Sequence, residues 1–274
     1  MSGAALALAL GAAALHAGWN TAVAGRSDPE AASAALLVSA IGLLLVPAVV
    51  FWDVSAAAWP YIAASAALHA AYFGGLAAAY ARADLSVVYP VARGVGPVIV
   101  LVVEIAALGA LIVAGQVVGV VLVCVGVLLV RGVSSEVEVG DLALALFVAA
   151  CIAGYTIVDS HGVDHAAEVT YLFLINAGMS LFYVPLALRM RGRAAVRDEL
   201  GVRSVLGGGA AMGAYLLVLV ALTLAPAAAV AAVRESSVVM AAVLAWLVLK
   251  ESVGPVRFAG AVAVAGGVAL IALS

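Results

Sequence analysis

The sequence predicts an all-α membrane protein of ten transmembrane helices, arranged as two inverted five-helix repeats. Three observations carry that prediction. Of 274 residues, 67% are apolar and only 10% are charged, against about 25% charged in soluble domains. Apolar runs of about 20 residues, the length a helix needs to cross a bilayer, recur along the whole chain. Two arginines inside those runs, Arg93 and Arg234, stand 141 residues apart, and the same displacement lays Gly119 on Gly260 and Gly126 on Gly267.

Each span has its own signature. The first, 3–24, is rich in alanine and leucine and carries His16, Trp19 and Asn20 at i, i+3 and i+4, which places them on one helix face. It has no basic segment before its apolar run, so it reads as part of the mature chain rather than a signal peptide. The second span is 31–52. The third, 57–80, bears a stripe of His69, Tyr72, Phe73, Leu76 and Tyr80. The fourth, 85–106, contains the stretch from Val88 to Pro97 with Arg93 at its centre. Pro90 and Pro97 each remove a backbone donor and Gly94 allows a bend, so a hinge is expected there beside a cavity.

The fifth span, 111–130, carries Gly119, Cys124 and Gly126. The sixth, 141–158, holds Cys151 and an Ala153-Gly154-Tyr155 stretch that matches Ala17-Gly18-Trp19 of the first. Both cysteines lie inside spans and read as small packing residues. The seventh span is 168–189. The eighth, 204–224, places Tyr215 opposite Tyr72 of the third. The ninth, 227–249, holds Arg234, Glu235, Ser236 and Ser237, and the tenth is 255–273.

Five spans per half is an odd number, so the second half enters the membrane from the opposite face. Substrate sites in such inverted repeats lie near the midplane between the halves. Helix rise puts Arg93 about 12 Å and Arg234 about 10 Å from opposite faces, bracketing that midplane. An arginine at this depth persists where it faces protein or an aqueous cavity. Arginine presents a planar fork that grips a carboxylate or phosphate with two parallel bonds. Arg93, Arg234, Trp19, Asn20, Tyr72, Tyr89, Tyr155 and Tyr215 are therefore the candidate substrate-binding residues. Pro90, Gly94 and Pro97 are the candidate hinge. His16, His69, Glu104 and Glu235 are candidate proton carriers. A structural ion pair between helices four and nine, which a substrate could compete to open, is the alternative reading of the arginines. Asp159, His161, Asp164, His165 and Glu168 cluster in what reads as a short solvated loop rather than a metal site.

Ten of the twelve basic residues fall in or beside the odd-numbered connections, which puts those loops in the cytoplasm and both termini outside. The arginine-rich stretch from Arg189 to Arg203 lies between two spans without interleaved aromatics. It reads as a topology signal touching anionic lipid headgroups, not as a nucleic-acid site. The chain has no Walker loop, no His-Glu-x-x-His and no Gly-x-Ser-x-Gly, so neither an enzyme nor a cofactor is expected.

His16-Ala17-Gly18-Trp19-Asn20, Tyr89-Pro90-Val91-Ala92-Arg93-Gly94, Arg234-Glu235-Ser236-Ser237 and Leu249-Lys250-Glu251 resemble the drug/metabolite transporter superfamily with EamA-type repeats. The resemblance covers almost the whole chain and implies one repeat over 1–132 and a second over 141–274. Where Lys250-Glu251 follows span nine, the first half has Gly109-Ala110 after span four. The resemblance implies a secondary transporter, often an exporter, of amino acids or other small metabolites through a central cavity. It also implies cytoplasmic termini, opposite to the charge rule. The expected function is alternating-access transport of a small, carboxylate-bearing metabolite across the cell membrane by a multi-pass monomer or homodimer. A flippase for a lipid-linked anionic group and a non-transporting membrane partner or sensor are the rival readings. The expected partners are the small-molecule substrate and the lipid bilayer.

Overall fold

The computed structural model describes residues 1–24, 28–82, 85–110, 113–131, 138–249 and 254–274, without the side chains of 20–24, 77, 79–82, 85–87, 89–90, 131 and 244–249. Arg26, Lys250, Glu251 and the side chains of Asn20, Tyr80, Arg82, Tyr89, Pro90 and Arg131 therefore lie outside the described residues. Among those described, the chain forms eleven helices: α1 (Gly3–Ala24), α2 (Pro29–Val50), α3 (Ala58–Arg82), α4 (Leu85–Ala106), α5 (Ala114–Arg131), α6 (Val139–Gly162), α7 (Glu168–Glu199), α8 (Val202–Leu222), α9 (Ala227–Arg234), α10 (Ser237–Leu249) and α11 (Pro255–Leu273). Five of them, α2, α6, α7, α8 and α11, are by themselves long and apolar enough to cross a membrane.

The outer surface is apolar. Leu181 is 75% exposed, Leu206 68% and Phe182 67%. Such side chains facing outward on several helices suit a lipid surround and not water. Inside, small residues let the helices approach closely, as expected where lipid gives no hydrophobic drive for association. The closest approach joins α5 to α11. A Cβ added at Gly126 would stand 2.7 Å from the Gly260 carbonyl, and one at Gly260 would stand 2.8 Å from that of Gly126. Gly119 and Gly267 meet in the same reciprocal way, at 2.8 and 2.6 Å. The other main pairings are α2 with α7, α1 with α8, α3 with α6, α4 with α6, α3 with α7, α4 with α5, α2 with α8, α4 with α9, and α1 with α9 and α10.

The two ends of the bundle are tied differently. At one end the α2–α3 and α6–α7 connections meet. The Ser55 N–H donates to the His165 carbonyl at 3.0 Å and the Ala167 N–H to that of Asp53 at 2.8 Å, flanking an antiparallel Val54–Ala166 bridge. At the other end, Arg191 of α7 pairs with Asp28 at 3.4 Å and with Glu30. Asp28 also caps α2, accepting from the Ala31 N–H at 3.1 Å just before a proline at the first helical position.

Three expectations are corrected. The fourth span is not interrupted by its prolines: α4 runs helical from Leu85 to Ala106. Neighbouring helices support it, Leu128 of α5 packing on Gly94 and Ile152 of α6 on Gly96. The break falls instead in the proline-free ninth span. There the Glu235 and Ser236 N–H groups donate three residues back, to Ala232 at 3.0 Å and Val233 at 3.1 Å, and the tightened turn separates α9 from α10. The stretch after residue 189, expected as a connection, is helical to Glu199, with Gly192 at φ 86° redirecting the chain.

Candidate functional site

Both intramembrane arginines reach the same interior. Arg93 extends from the middle of α4, and one guanidinium nitrogen donates to Glu235 Oε1 at 2.9 Å, with the two side chains 6% and 1% exposed. Another nitrogen contacts His16 Nε2. A guanidinium only donates, so Nε2 is the lone-pair nitrogen and the proton of neutral His16 sits on Nδ1. The His16 ring meets Trp19 edge-on at 5.2 Å.

Arg234 ends α9. Its Nε lies 3.9 Å from the same Glu235 oxygen, and among the described residues its guanidinium donates no hydrogen bond. One carboxylate thus stands between two buried cations. It accepts a hydrogen bond from Arg93 and only approaches Arg234. The turn between α9 and α10 makes this possible, because it carries Glu235 out of helical register with Arg234 and against α4.

These groups line one cavity of about 210 Å³. Its polar wall is His16, Arg93, Arg234 and Asn176; Tyr72, Phe73, Tyr155 and Tyr215 dominate the aromatic wall. His69 stacks on Tyr155 at 4.0 Å and meets Tyr215 edge-on at 5.3 Å. Its Nδ1 lies 2.9 Å from the Ser65 carbonyl, which fixes the proton on that nitrogen. The lining continues past Leu36 and Tyr183 to Pro29 and Glu30, so the cavity extends toward the end of the bundle held by Arg191.

Of the sequence-predicted substrate residues, Arg93, Arg234, Trp19, Tyr72, Tyr155 and Tyr215 line the cavity. Asn20 and Tyr89 lie outside the described side chains. Of the proton-carrier candidates, His16 and His69 line it, and Glu235 stands behind the arginines. Glu104 is elsewhere. Its two oxygens accept the Ala227 and Ala228 N–H groups at 2.7 and 3.1 Å, so it caps α9. The hinge candidates Gly94 and Pro97 lie buried within continuous helix.

Sequence reasoning missed Asp159 and Asn176. Asp159 was assigned to a solvated loop, but α6 extends to Gly162 and the carboxylate is fully buried. Tyr171 donates to one of its oxygens at 3.0 Å and Tyr215 to the other. The signal available was its position four residues after Tyr155, on the same helix face. Asn176 donates to the Leu37 carbonyl at 3.4 Å and leaves its own buried oxygen without a partner. His161 and His165 stack on Tyr61, and the described residues assemble no group of three or more metal-ligating side chains.

An all-helical chain with an apolar exterior and a charged interior cavity is a multi-pass membrane protein. Residues 140–273 match the sequence profile of the EamA-like transporter family. That match, over just under half of the chain, supports the EamA type of the drug/metabolite transporter superfamily, a group of small-molecule membrane transporters. A solved structure titled only "Crystal structure of protein" is similar in fold, with a TM-score of 0.75 and 15% identity over 98% of each chain. No curated protein matches the chain.

Proposed function

We propose that this protein is a secondary active transporter that moves a small carboxylate-bearing metabolite, such as an amino acid or organic anion, by alternating access. Its substrate site is the cavity between an inverted pair of repeats, residues 1–132 and 141–274. The observation that carries this reading is Arg234. A buried cation with no hydrogen bond is costly unless something else completes it, and Arg234 faces a cavity of metabolite size. Arg93 is already neutralised by Glu235, so the cavity keeps one unsatisfied positive fork. The aromatic wall of Tyr72, Tyr155 and Tyr215, with Trp19 at its edge, suits the apolar body of the same molecule.

The helix pairing supports the inverted repeat. Exchanging α1 with α6, α2 with α7, α3 with α8, α4 with α9 and α10, and α5 with α11 turns the α1–α8 contact into α6–α3, the α4–α6 contact into α1 with α9 and α10, and α3–α7 into α8–α2. The α2–α7 and α5–α11 contacts map onto themselves. Under the 141-residue displacement the Gly119–Gly267 contact becomes Gly260–Gly126, which is the reciprocity of a two-fold interface.

The test is the unfolding temperature of the purified chain with L-phenylalanine, succinate, phosphate and choline, in wild type and Arg234→Met. A ligand at about 100 times its Kd stabilises the folded state by about 2.7 kcal/mol. The carboxylates should raise the midpoint in wild type and leave Arg234→Met unmoved, while choline does nothing. Stabilisation by choline alone, or by carboxylates equally in both proteins, refutes the assignment.

A further inference from the structure

We propose that Asp159 is a proton-binding site coupled to the substrate cavity through Tyr215, so that the carboxylate takes up and releases a proton during the transport cycle. This rests on the transporter reading above and adds the coupling ion to it. Asp159 is wholly buried, yet no cation is bonded to it among the described residues; both its oxygens accept phenolic hydrogens instead. Neutral donors leave a buried carboxylate able to exist in either protonation state, whereas a direct ion pair would fix it as the anion.

The surroundings come from four helices. Tyr171 of α7 and Tyr215 of α8 donate to it, the Ser65 hydroxyl of α3 faces it, and the charge of Arg234 on α9 acts on it. His69 of α3 lies one ring away, against Tyr215. Glu104 of α4 is occupied by the α9 amides and does not compete.

Tyr215 supplies the link. Its hydroxyl donates to Asp159, and its ring lines the cavity together with Arg234. A phenol carries one hydrogen. When Asp159 is ionised, that hydrogen is committed to it. When a proton arrives on that Asp159 oxygen, the new O–H donates to the phenol oxygen, and the phenolic hydrogen is free to point into the cavity. A substrate carboxylate on Arg234 would accept it. The charges follow the same logic. With Glu235 balancing Arg93, ionised Asp159 balances Arg234. An arriving carboxylate takes over that role, and a proton on Asp159 keeps the interior neutral. Substrate and proton therefore bind together.

The experiment is a pH titration of the full-length protein in detergent by infrared difference spectroscopy, following the C=O stretch of protonated carboxyl groups, in wild type, Asp159→Asn, Glu104→Gln and Tyr171→Phe. A band that titrates between about pH 5 and pH 9, persists in Glu104→Gln, shifts in frequency in Tyr171→Phe and is lost in Asp159→Asn is the expected result. Absence of such a band from wild type, or its survival in Asp159→Asn, overturns the proposal. Tyr171→Phe keeps the test informative should Asp159→Asn not fold, because an unchanged frequency there assigns the band elsewhere. In proteoliposomes, L-phenylalanine exchange at equal pH should survive in Asp159→Asn, while accumulation driven by a pH gradient is lost. Gradient-driven accumulation in that variant equal to wild type also overturns the proposal. If the band is present but wild type carries no L-phenylalanine, the proton site stands and the carboxylate substrate reading falls.

Discussion

Glu235 should be the least replaceable charge in the interior. Its Oε1 is 2.9 Å from Arg93 and 3.9 Å from Arg234. At an effective dielectric of about 20, these contacts correspond to attractions of about 5.7 and about 4.3 kcal/mol, before any desolvation. Glu235→Gln removes both and leaves two cations facing a neutral His16. Breaking a buried pair in this way costs about 3–5 kcal/mol of stability. Arg93→Met removes only the shorter contact. It leaves Glu235 beside Arg234 and relieves the repulsion between the arginines, so it should cost less, about 1–3 kcal/mol. The double variant should be more stable than Glu235→Gln alone, because it removes a cation that the single change strands. Equilibrium unfolding in mixed micelles, followed by far-UV circular dichroism, ranks the three proteins. If Arg93→Met is as damaging as Glu235→Gln, the carboxylate is not shared, and the account of Arg234 fails with it.

Other consequences are simpler. Gly126→Ala and Gly260→Ala each push a methyl to within 3 Å of a facing backbone and should lower stability by about 1–3 kcal/mol. Gly266→Ala, where nothing lies within 4 Å, should be neutral or slightly stabilising by thermal unfolding. Glu104→Gln weakens the cap on α9 and should cost about 1 kcal/mol. Hydrogen exchange should accelerate at Ala227 and Ala228 and remain unchanged at the start of α8. Asp28→Ala removes the α2 cap for about 1 kcal/mol, whereas Arg191→Ala should cost less than that, because the arginine is exposed and its pairing is screened by solvent.

The arginines were legible because a charge inside an apolar run has few explanations, and the sequence alone named six residues that line the cavity. Asp159 was not, for a reason of helix length. The apolar run ends near residue 158, but the helix continues to Gly162, and buried tyrosines satisfy the Asp159 carboxylate in that last turn. The interruption in the ninth span was also hidden. Pro90 and Pro97 advertise a break, yet α4 stays helical through both. The turn at Glu235 carries no breaker residue, and there Glu235 meets Arg93 of α4. Glu104 looked like an intramembrane carboxylate with no repeat counterpart. Its partners are backbone amides 123 and 124 positions away, which no pattern in the sequence can reveal.

The clasp between α5 and α11 sets a mechanical condition on the molecule. Helices that touch backbone to backbone through paired glycines can roll against each other, but they cannot part without losing the contact along their whole length. Among the described residues neither helix contributes to the cavity lining, whereas α2 and α7, which also pack on each other, contribute several. If the protein works by alternating access as proposed, the first pair would serve as the axle and the second as the moving wall. Spin labels placed across α5 and α11 should report one distance under all conditions, while labels across α2 and α7 should report two.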